Sequence, residues 1–458
     1  MRIRQFAERA ALSAALSLTF LGLGTTSAAA DTGSPLPIGS YRDMAVDSAH
    51  QQVFLSDPFG GSVLVTDYTG QVVKRIDGEA GAWGVALSGD SGTLYVALRD
   101  AGAIAAIDTV TLEETARYDT GTGAGAYAGP TSLALAGGKI WFGYSLDTWR
   151  GALGSLDLGG GQPVVTRDQG LDTFRGSPRL AATPQHPDTL VAAESDGNAA
   201  ALAVYDVSAG RADAQARRVD PGPEGCASLQ DLALTPDAER VVVACASPYY
   251  HQVFRTADLA DDGRYATSHY PNAVAIAPDG TVAAGVDGAN SPDVRLFAPG
   301  ASTDFHSWDF PAPSPYATTT LQSGGLAWTP DATRLFAVTK DSNSSTLTLQ
   351  VLNHPQVPTT VTVQAPASSP RNQPLTLSGK LDAPVGFGTG GTVDIWRLDD
   401  PAAGEGTLIG SAPVAADGTF SYTDRPKAKG DVQYTVWYGG DGRHSYAYST
   451  ATVHLTSD

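Results

Sequence analysis

The chain has 458 residues, 42% hydrophobic and 17% charged, which is the balance of a folded globular protein and too apolar for a disordered one. Its 48 acidic residues outnumber 29 basic ones, and the formal charge of −19 opposes binding to nucleic acid or to anionic membranes. The length exceeds what one hydrophobic core usually organises, so more than one domain is expected.

Residues 1–30 read as a secretory signal peptide. Arg2, Arg4 and Arg9 precede an apolar run from Ala10 to Leu23, and Ala28-Ala29-Ala30 offers a small-residue cleavage site before Asp31. The run is short for a membrane-spanning helix. Arg2 and Arg4 are not adjacent, so a twin-arginine route is not indicated, and no cysteine follows the cleavage site for lipid attachment. Loss of Arg2, Arg4, Glu8 and Arg9 removes two net positive charges and leaves the mature chain at −21. A secreted, extracellular, monomeric protein is expected, with neither membrane insertion nor a nucleic-acid partner.

From Met44 to Val351 one pattern recurs seven times. Each copy opens on an apolar triplet with a small centre: Met44-Ala45-Val46, Val85-Ala86-Leu87, Leu133-Ala134-Leu135, Leu180-Ala181-Ala182, Leu232-Ala233-Leu234, Val274-Ala275-Ile276 and Leu326-Ala327-Trp328. Their central alanines lie 41 to 52 residues apart, the period of a four-stranded propeller blade with variable loops. A tight turn follows, as in Thr235-Pro236-Asp237 or Thr329-Pro330-Asp331, where proline presets one dihedral and aspartate bonds its own backbone. The second strand is stiff and apolar, like Val241-Val242-Val243, and suits a sheet interior. A third strand often ends on aspartate, at Asp67, Asp108, Asp157 and Asp206, and the fourth is polar, like Val72 to Ile76, as an outer edge should be. The seventh copy stops after its third strand. Pro35 to Gly39 precedes the first copy and is expected to supply the missing outer strand, closing a seven-bladed β-propeller over 31–353.

The segment Gly84 to Thr111, GVALSGDSGTLYVALRDAGAIAAIDTVT, resembles a repeat of the YVTN family of β-propellers, with its apolar triplet, its turn, a Tyr95-Val96 strand and an Ile107-Asp108-Thr109 ending. The Tyr-Val pair occurs only there, and other copies place Phe54-Leu55 or Phe336-Ala337 in its position. Lactonases and a metal-dependent antibiotic lyase are among the relatives that this resemblance implies.

The only cysteines, Cys226 and Cys245, lie at the same end of the first hairpin of repeat five, and an exported chain meets an oxidising compartment, so a disulfide is expected. A proline-bearing linker at 354–358 ends the repeats. Over 359–458 seven short candidate strands follow: Thr360 to Val363, Leu375 to Ser378, Thr392 to Arg397, Leu408 to Ser411, Thr419 to Tyr422, Val432 to Tyr438 and Thr450 to Leu455. Their rhythm suggests an immunoglobulin-like sandwich, and the ending Val436-Trp437-Tyr438-Gly439-Gly440-Asp441 with His444 resembles the bacterial Ig-like domains, which implies a spacer or an adhesive module. The fold class is thus all-β, a seven-bladed propeller followed by an Ig-like sandwich.

Catalytic motifs are lacking. Gly143-Tyr144-Ser145-Leu146-Asp147 has no closing glycine for a nucleophile elbow, and the carboxylates of Asp258 to Asp262 have no glutamate to close a calcium loop. In a propeller the loops from second to third strand and the blade-to-blade connections share one face, where loops remote in sequence converge. That face is expected to form an acidic mouth binding a polar or cationic ligand, a glycan or a protein through Asp57, Asp100, Asp147, Trp149, Tyr250 and Asp287. The chemistry of the Ig-like domain is expected to be sparse by comparison. A noncatalytic binding or surface-associated protein without cofactor is the primary reading. The alternative is a metal-assisted lyase or hydrolase of a lactone-like molecule, with a divalent metal held by Glu194, Glu224, His251 and His269.

Overall fold

The computed structural model describes residues 30–123, 128–194, 200–219, 225–268, 270–288, 292–312, 317–387, 391–400 and 406–457, without the side chains of 171–173. The predicted leader, apart from Ala30, lies outside them. Every regular element among the described residues is a β-strand, and the chain divides into two compact units, one spanning Ala30–Pro355 and the other beginning at Gln356.

The first unit consists of seven four-stranded antiparallel sheets. In the first of them Met44–Asp47, Gln52–Asp57, Ser62–Asp67 and Val72–Asp77 follow one another as a meander, with Met44 opposite Leu55 and Leu55 opposite Leu64. The opening strands of the other six are Ala82–Leu87, Pro130–Ala136, Arg179–Thr183, Ala227–Leu234, Tyr270–Ile276 and Thr319–Trp328, so each repeated triplet lies in the first strand of its sheet. These opening strands touch their neighbours in order, and the seventh touches the first, so the sheets form a closed cycle. Thr32–Leu36 pairs with Leu347–Asn353 and gives the seventh sheet its outer strand, from Thr32 opposite Val351 to Leu36 opposite Leu347. The N-terminal closure therefore occurs as expected, a few residues upstream of Pro35 to Gly39.

The turns show why aspartate recurs. In the first hairpins Thr235 and Thr329 bond Asp237 and Asp331, each at 2.5 Å, and those carboxylates accept the amides of Glu239 and Thr333 at 3.0 Å. At the ends of the third strands Asp67 accepts the Thr69 amide at 2.8 Å, Asp108 the Thr111 amide at 2.7 Å, Asp157 the Gly159 amide at 2.9 Å and Asp206 the Ser208 amide at 2.8 Å. Each carboxylate thereby fixes the turn into the outer strand, and these bonds hold the four carboxyls below their ordinary pKa.

Apolar residues fill the spaces between sheets. Phe54, Val63 and Val65 of the first sheet pack with Val85, Leu94, Val96 and Ile107 of the second, and Phe336 and Val338 of the seventh meet Leu55 and Leu64 of the first. Sheets come close enough to require glycine at places. A β-carbon on Gly84 would stand 2.8 Å from the Thr131 carbonyl oxygen and 2.9 Å from the Ser132 α-carbon. Cys226 and Cys245 form a disulfide, their α-carbons 5.4 Å apart, within the core shared by the fourth and fifth sheets.

The second unit has a three-stranded sheet, Thr360–Gln364, Leu375–Asp382 and Thr419–Asp424, and a five-stranded one built from Ser368–Pro370, Ala447–Thr456, Gly430–Tyr438, Thr392–Leu398 and Thr407–Pro413. Both sheets contribute to one core, with Leu377 and Phe420 against Ile395, Val432, Tyr434 and Val436. All seven anticipated strands are present with longer bounds. The eighth, Ser368–Pro370, has no apolar alternation to announce it and pairs parallel with Ala447–Thr456.

Candidate functional site

The inner end of each opening strand lies on the same face as the loops between second and third strands, because Asp57, which ends its second strand, accepts both the Ser40 amide at 3.1 Å and its hydroxyl at 2.5 Å. One residue before each apolar triplet stand Asp43, Gly84, Ser132, Arg179, Asp231, Ala273 and Gly325. Three of them fasten one sheet to the next. Asp43 accepts the Val85 amide at 2.9 Å, Ser132 the Leu180 amide at 3.0 Å and Asp231 the Val274 amide at 2.9 Å. Both aspartates also accept the amide of their own following residue, Met44 at 2.9 Å and Leu232 at 3.0 Å.

Around these positions a cluster gathers from five sheets. Arg179 faces Asp231 at 3.7 Å, with both side chains 15% exposed. The Tyr41 hydroxyl donates to the Gly324 carbonyl at 2.9 Å, and Arg42 lies 5.5 Å from the Trp83 ring centroid. Protein surrounds these groups while leaving a little accessible surface, as befits residues lining a narrow opening. Burial drives every shift here. It pushes the Tyr41 hydroxyl and the Asp43 carboxyl up, Asp231 up to about 6, and, with repulsion from Arg179, the Arg42 guanidinium down.

A bulge of the seventh sheet crosses this opening. Pairing jumps from Leu321 opposite Thr339 to Leu326 opposite Ala337, and Gln322 to Gly325 are left outside the ladder. The Ser323 hydroxyl bonds the carbonyl and the side chain of Gln230, both at 3.1 Å, so the seventh sheet touches the fifth, which is not its neighbour in the cycle. Gly324 takes a φ of +64°, which suits glycine, and its carbonyl receives Tyr41 from the first sheet.

The anticipated site residues share this face but not one chemistry. Asp57 is buried at 1% exposure, held by Ser40 and the Gly60 amide and 3.8 Å from Arg75, so it is a structural carboxylate rather than an exposed ligand. Asp100 is exposed and bonds Arg99 at 2.7 Å, and Arg99 in turn covers Trp83 at 4.0 Å. Asp147 accepts the amides of Trp149 and Arg150 at 2.8 and 2.9 Å and the Arg150 guanidinium at 2.8 Å, bonds that lower its pKa. Tyr250 lies half-buried under Arg264, 5.0 Å from its ring. Asp287 is exposed at its strand end, with surrounding protein raising its pKa by desolvation. Arginines 42, 75, 99, 150 and 179 stand beside Asp43, Asp57, Asp100, Asp147 and Asp231 and offset their charge.

Of the alternative metal set, Glu224 and His269 lie outside the described residues. Glu194 is buried, and His251 is wholly buried in its strand rather than in a loop. Its Nε2 donates to the Ala273 carbonyl at 3.0 Å and its Nδ1 faces the Thr267 hydroxyl at 3.1 Å, so both ring nitrogens are engaged, and burial pulls its pKa down to about 4. Among the described residues no three of His, Cys, Asp and Glu converge as a metal site.

The face also exposes aromatic rings. Among the described residues of the first unit, the large exposed aromatic side chains are Phe59, Trp149, Tyr249 and Tyr270, at 83, 76, 54 and 50%. All four lie on loops or strand ends of this face, and Tyr249 meets Tyr270 edge to face at 5.2 Å.

No family model and no curated protein matches the chain. Solved structures do. Kuenenia stuttgartiensis hydrazine synthase is similar at 16% identity, over 72% of this chain and 98% of that one, with a TM-score of 0.52. The β-propeller domain of Myceliophteria thermophila Cps50 (Swd1) is similar at 13% identity, over 69% of this chain and 99% of that one, with a TM-score of 0.51. At these identities the likeness concerns the fold alone, which is that of a β-propeller.

Proposed function

We propose that this chain is an exported, noncatalytic binding protein, a seven-bladed β-propeller of the YVTN kind joined to an Ig-like sandwich, which holds a polar extracellular partner, a glycan or a protein, on its loop face. The blade count is supported by the closed cycle of seven four-stranded sheets, and the family reading by the Gly84 to Thr111 segment. The disulfide accords with an oxidising compartment, as the amino-terminal leader reading requires.

One observation carries the binding reading. Four large exposed aromatic rings of the first unit share a single face, and its opposite face has none among the described residues. Exposed aromatic rings beside hydrogen-bonding groups are the anchors of recognition surfaces, whereas scattered apolar residues are ordinary. Because arginines offset the carboxylates there, the favoured partner is polar and near neutral rather than strongly cationic. The test is a glycan array and an extracellular protein screen with the mature chain, repeated with Phe59→Ala/Trp149→Ala and Tyr249→Ala/Tyr270→Ala. The reading expects a partner whose affinity falls by about tenfold in at least one double variant with the fold unchanged. A partner bound equally by both variants would refute it.

A further inference from the structure

The second unit carries an aromatic surface of its own. Four directly paired residues cross its five-stranded sheet in one row: Ser411 opposite Asp394, Asp394 opposite Trp437, and Trp437 opposite Tyr448. Their side chains share the outer face, since the alternate positions Val436, Tyr438 and Ala447 are in the core. Tyr446, two residues before Tyr448 and outside the strand, joins them. The Trp437 ring lies 5.5 Å from Tyr446 and 6.1 Å from Tyr448, at interplanar angles of only 15° and 19°. Tyr446 and Tyr448 are 63 and 60% exposed and Trp437 is 37% exposed.

We propose that this row is a binding surface for a neutral, hydroxyl-rich polysaccharide. A sugar ring has an apolar face of C–H groups that lies against an aromatic ring, and a rim of hydroxyls that needs donors and acceptors. Three near-parallel exposed rings supply the first requirement. The second is met in the same row by the phenolic hydroxyls and by Asp394, which accepts the Ser411 hydroxyl at 2.6 Å and keeps further acceptor capacity. Charge excludes a polyanion: the strand residues of Thr392–Leu398, Gly430–Tyr438 and Ala447–Thr456 on this face include no lysine or arginine, and the whole chain is acidic. Cross-strand aromatic pairing would account for Trp437 and Tyr448 as sheet stabilisers, but Tyr446 belongs to no strand pair and gains nothing from that role.

The experiment is co-sedimentation of the mature full-length protein with microcrystalline cellulose and with chitin, with soluble polygalacturonate as an anionic control in affinity electrophoresis. Retention on at least one of the two neutral polymers is expected, with none by the anionic one, and the cellulose and chitin arms distinguish plain from acetamido-bearing sugars. Tyr446→Ala/Tyr448→Ala should weaken retention by about tenfold while Tm and circular dichroism stay unchanged, and Tyr448→Trp should preserve it. Val110→Ala, at an exposed residue outside both aromatic surfaces, should bind like the parent. No retention on either polymer, or retention that Tyr446→Ala/Tyr448→Ala leaves intact, would overturn the proposal. So would a concentration-dependent dimer that this double variant dissolves without any polymer binding, since the rings would then serve a second copy of the chain.

Discussion

Asp231 reaches from the opening strand of the fifth sheet to the Val274 amide of the sixth at 2.9 Å, and Asp43 makes the equivalent bond from the first sheet to Val85 of the second at the same distance. Ordinary ladder bonds operate only within a sheet, so these two carboxylates are direct polar ties between sheets, beside the Ser56 hydroxyl that donates to the Trp83 carbonyl at 2.6 Å and the His251 ring that donates to the Ala273 carbonyl at 3.0 Å. Asp231→Ala removes the acceptor, leaves the Val274 amide without it in a largely buried setting, and leaves Arg179 without its partner at 3.7 Å. The expected loss is about 1–3 kcal/mol in urea unfolding, with Asp231→Asn retaining part of it. Asp43→Ala should behave alike. An alanine variant with parental stability would show that the remaining contacts between the sheets set their spacing without the carboxylate.

The disulfide closes a loop of 19 residues within the fifth repeat. Chain-entropy reasoning assigns a loop of this size about 3 kcal/mol, and both sulfurs are buried with Leu229, Val243 and Phe254. Tm should therefore fall by several degrees in Cys226→Ser/Cys245→Ser, and reductant should lower the parent's Tm while leaving the double variant's unchanged. Alkylation of the denatured, unreduced protein should modify neither cysteine.

Three carboxyls raised by burial each contribute less stability as pH rises. Burial pushes Asp231 up to about 6 and Glu79 and Asp293 up to about 7, in Asp293 with repulsion from Asp309 and Asp287. In the unfolded chain such groups titrate near about 4. From about pH 4 to pH 7 the folded state thus holds protons that the unfolded state has released. The contribution of these carboxyls to stability must fall as pH rises through that window and level off above it, while His251, pulled down to about 4 by burial, contributes in the opposite sense until pH passes its unfolded value of about 6.5. The turn aspartates with lowered pKa act only below about pH 4, and His251 is common to parent and variant, so from about pH 4.5 to 8 the difference between the two isolates the carboxyl effect. Asp293 accepts the Phe310 amide at 2.7 Å through Oδ2, while its Oδ1 has no hydrogen-bond partner among the described residues. Asn can keep the first bond and cannot ionise. Asp293→Asn should flatten the decline in the urea midpoint, and an unaltered slope would mean that Asp293 is ionised throughout.

The architecture was legible because the repeats restate one local chemistry: a triplet with a small centre, a tight turn that is Thr-Pro-Asp in two copies, an apolar second strand and, in four copies, an aspartate that bonds the next turn. Even the N-terminal closure followed from a seventh copy that lacks its fourth strand. Individual side chains were harder to read. Asp57 and Asp100 occupy matching loops, yet one is buried under Ser40 and the other exposed beside Arg99, a difference set by partners remote in sequence. The sheet-to-sheet ties stand one residue before the triplets, and the polar residues Asp43, Ser132 and Asp231, at a position that is Gly or Ala in three other copies and Arg179 in the fourth, are the signal that could have pointed to them. Trp437, Tyr446 and Tyr448 were visible as aromatics, but only the fold places them side by side.

The bulge at the opening yields a prediction about local rather than global stability. Gln322 to Gly325 have left the ladder of the seventh sheet and are held across the opening by Tyr41 on one side and Gln230 on the other. Tyr41→Phe keeps the ring and deletes the hydroxyl that donates to the Gly324 carbonyl, a change of about 1 kcal/mol. Since the bulge makes no ladder bonds of its own, that loss falls on a small local opening, not on unfolding of the ring. Hydrogen exchange should accelerate several-fold at the amides of 322–325 and stay unchanged at Leu335 to Val338 in the adjacent strand. Gly324→Ala should act in the same direction for a different reason, because alanine at a φ of +64° carries a strain of about 1 kcal/mol and its β-carbon would stand 3.5 Å from Arg179. Faster exchange spread over the whole seventh sheet would instead mean that the crossing bulge helps to hold the ring closed, and the Tyr41→Phe variant would then lose Tm as well.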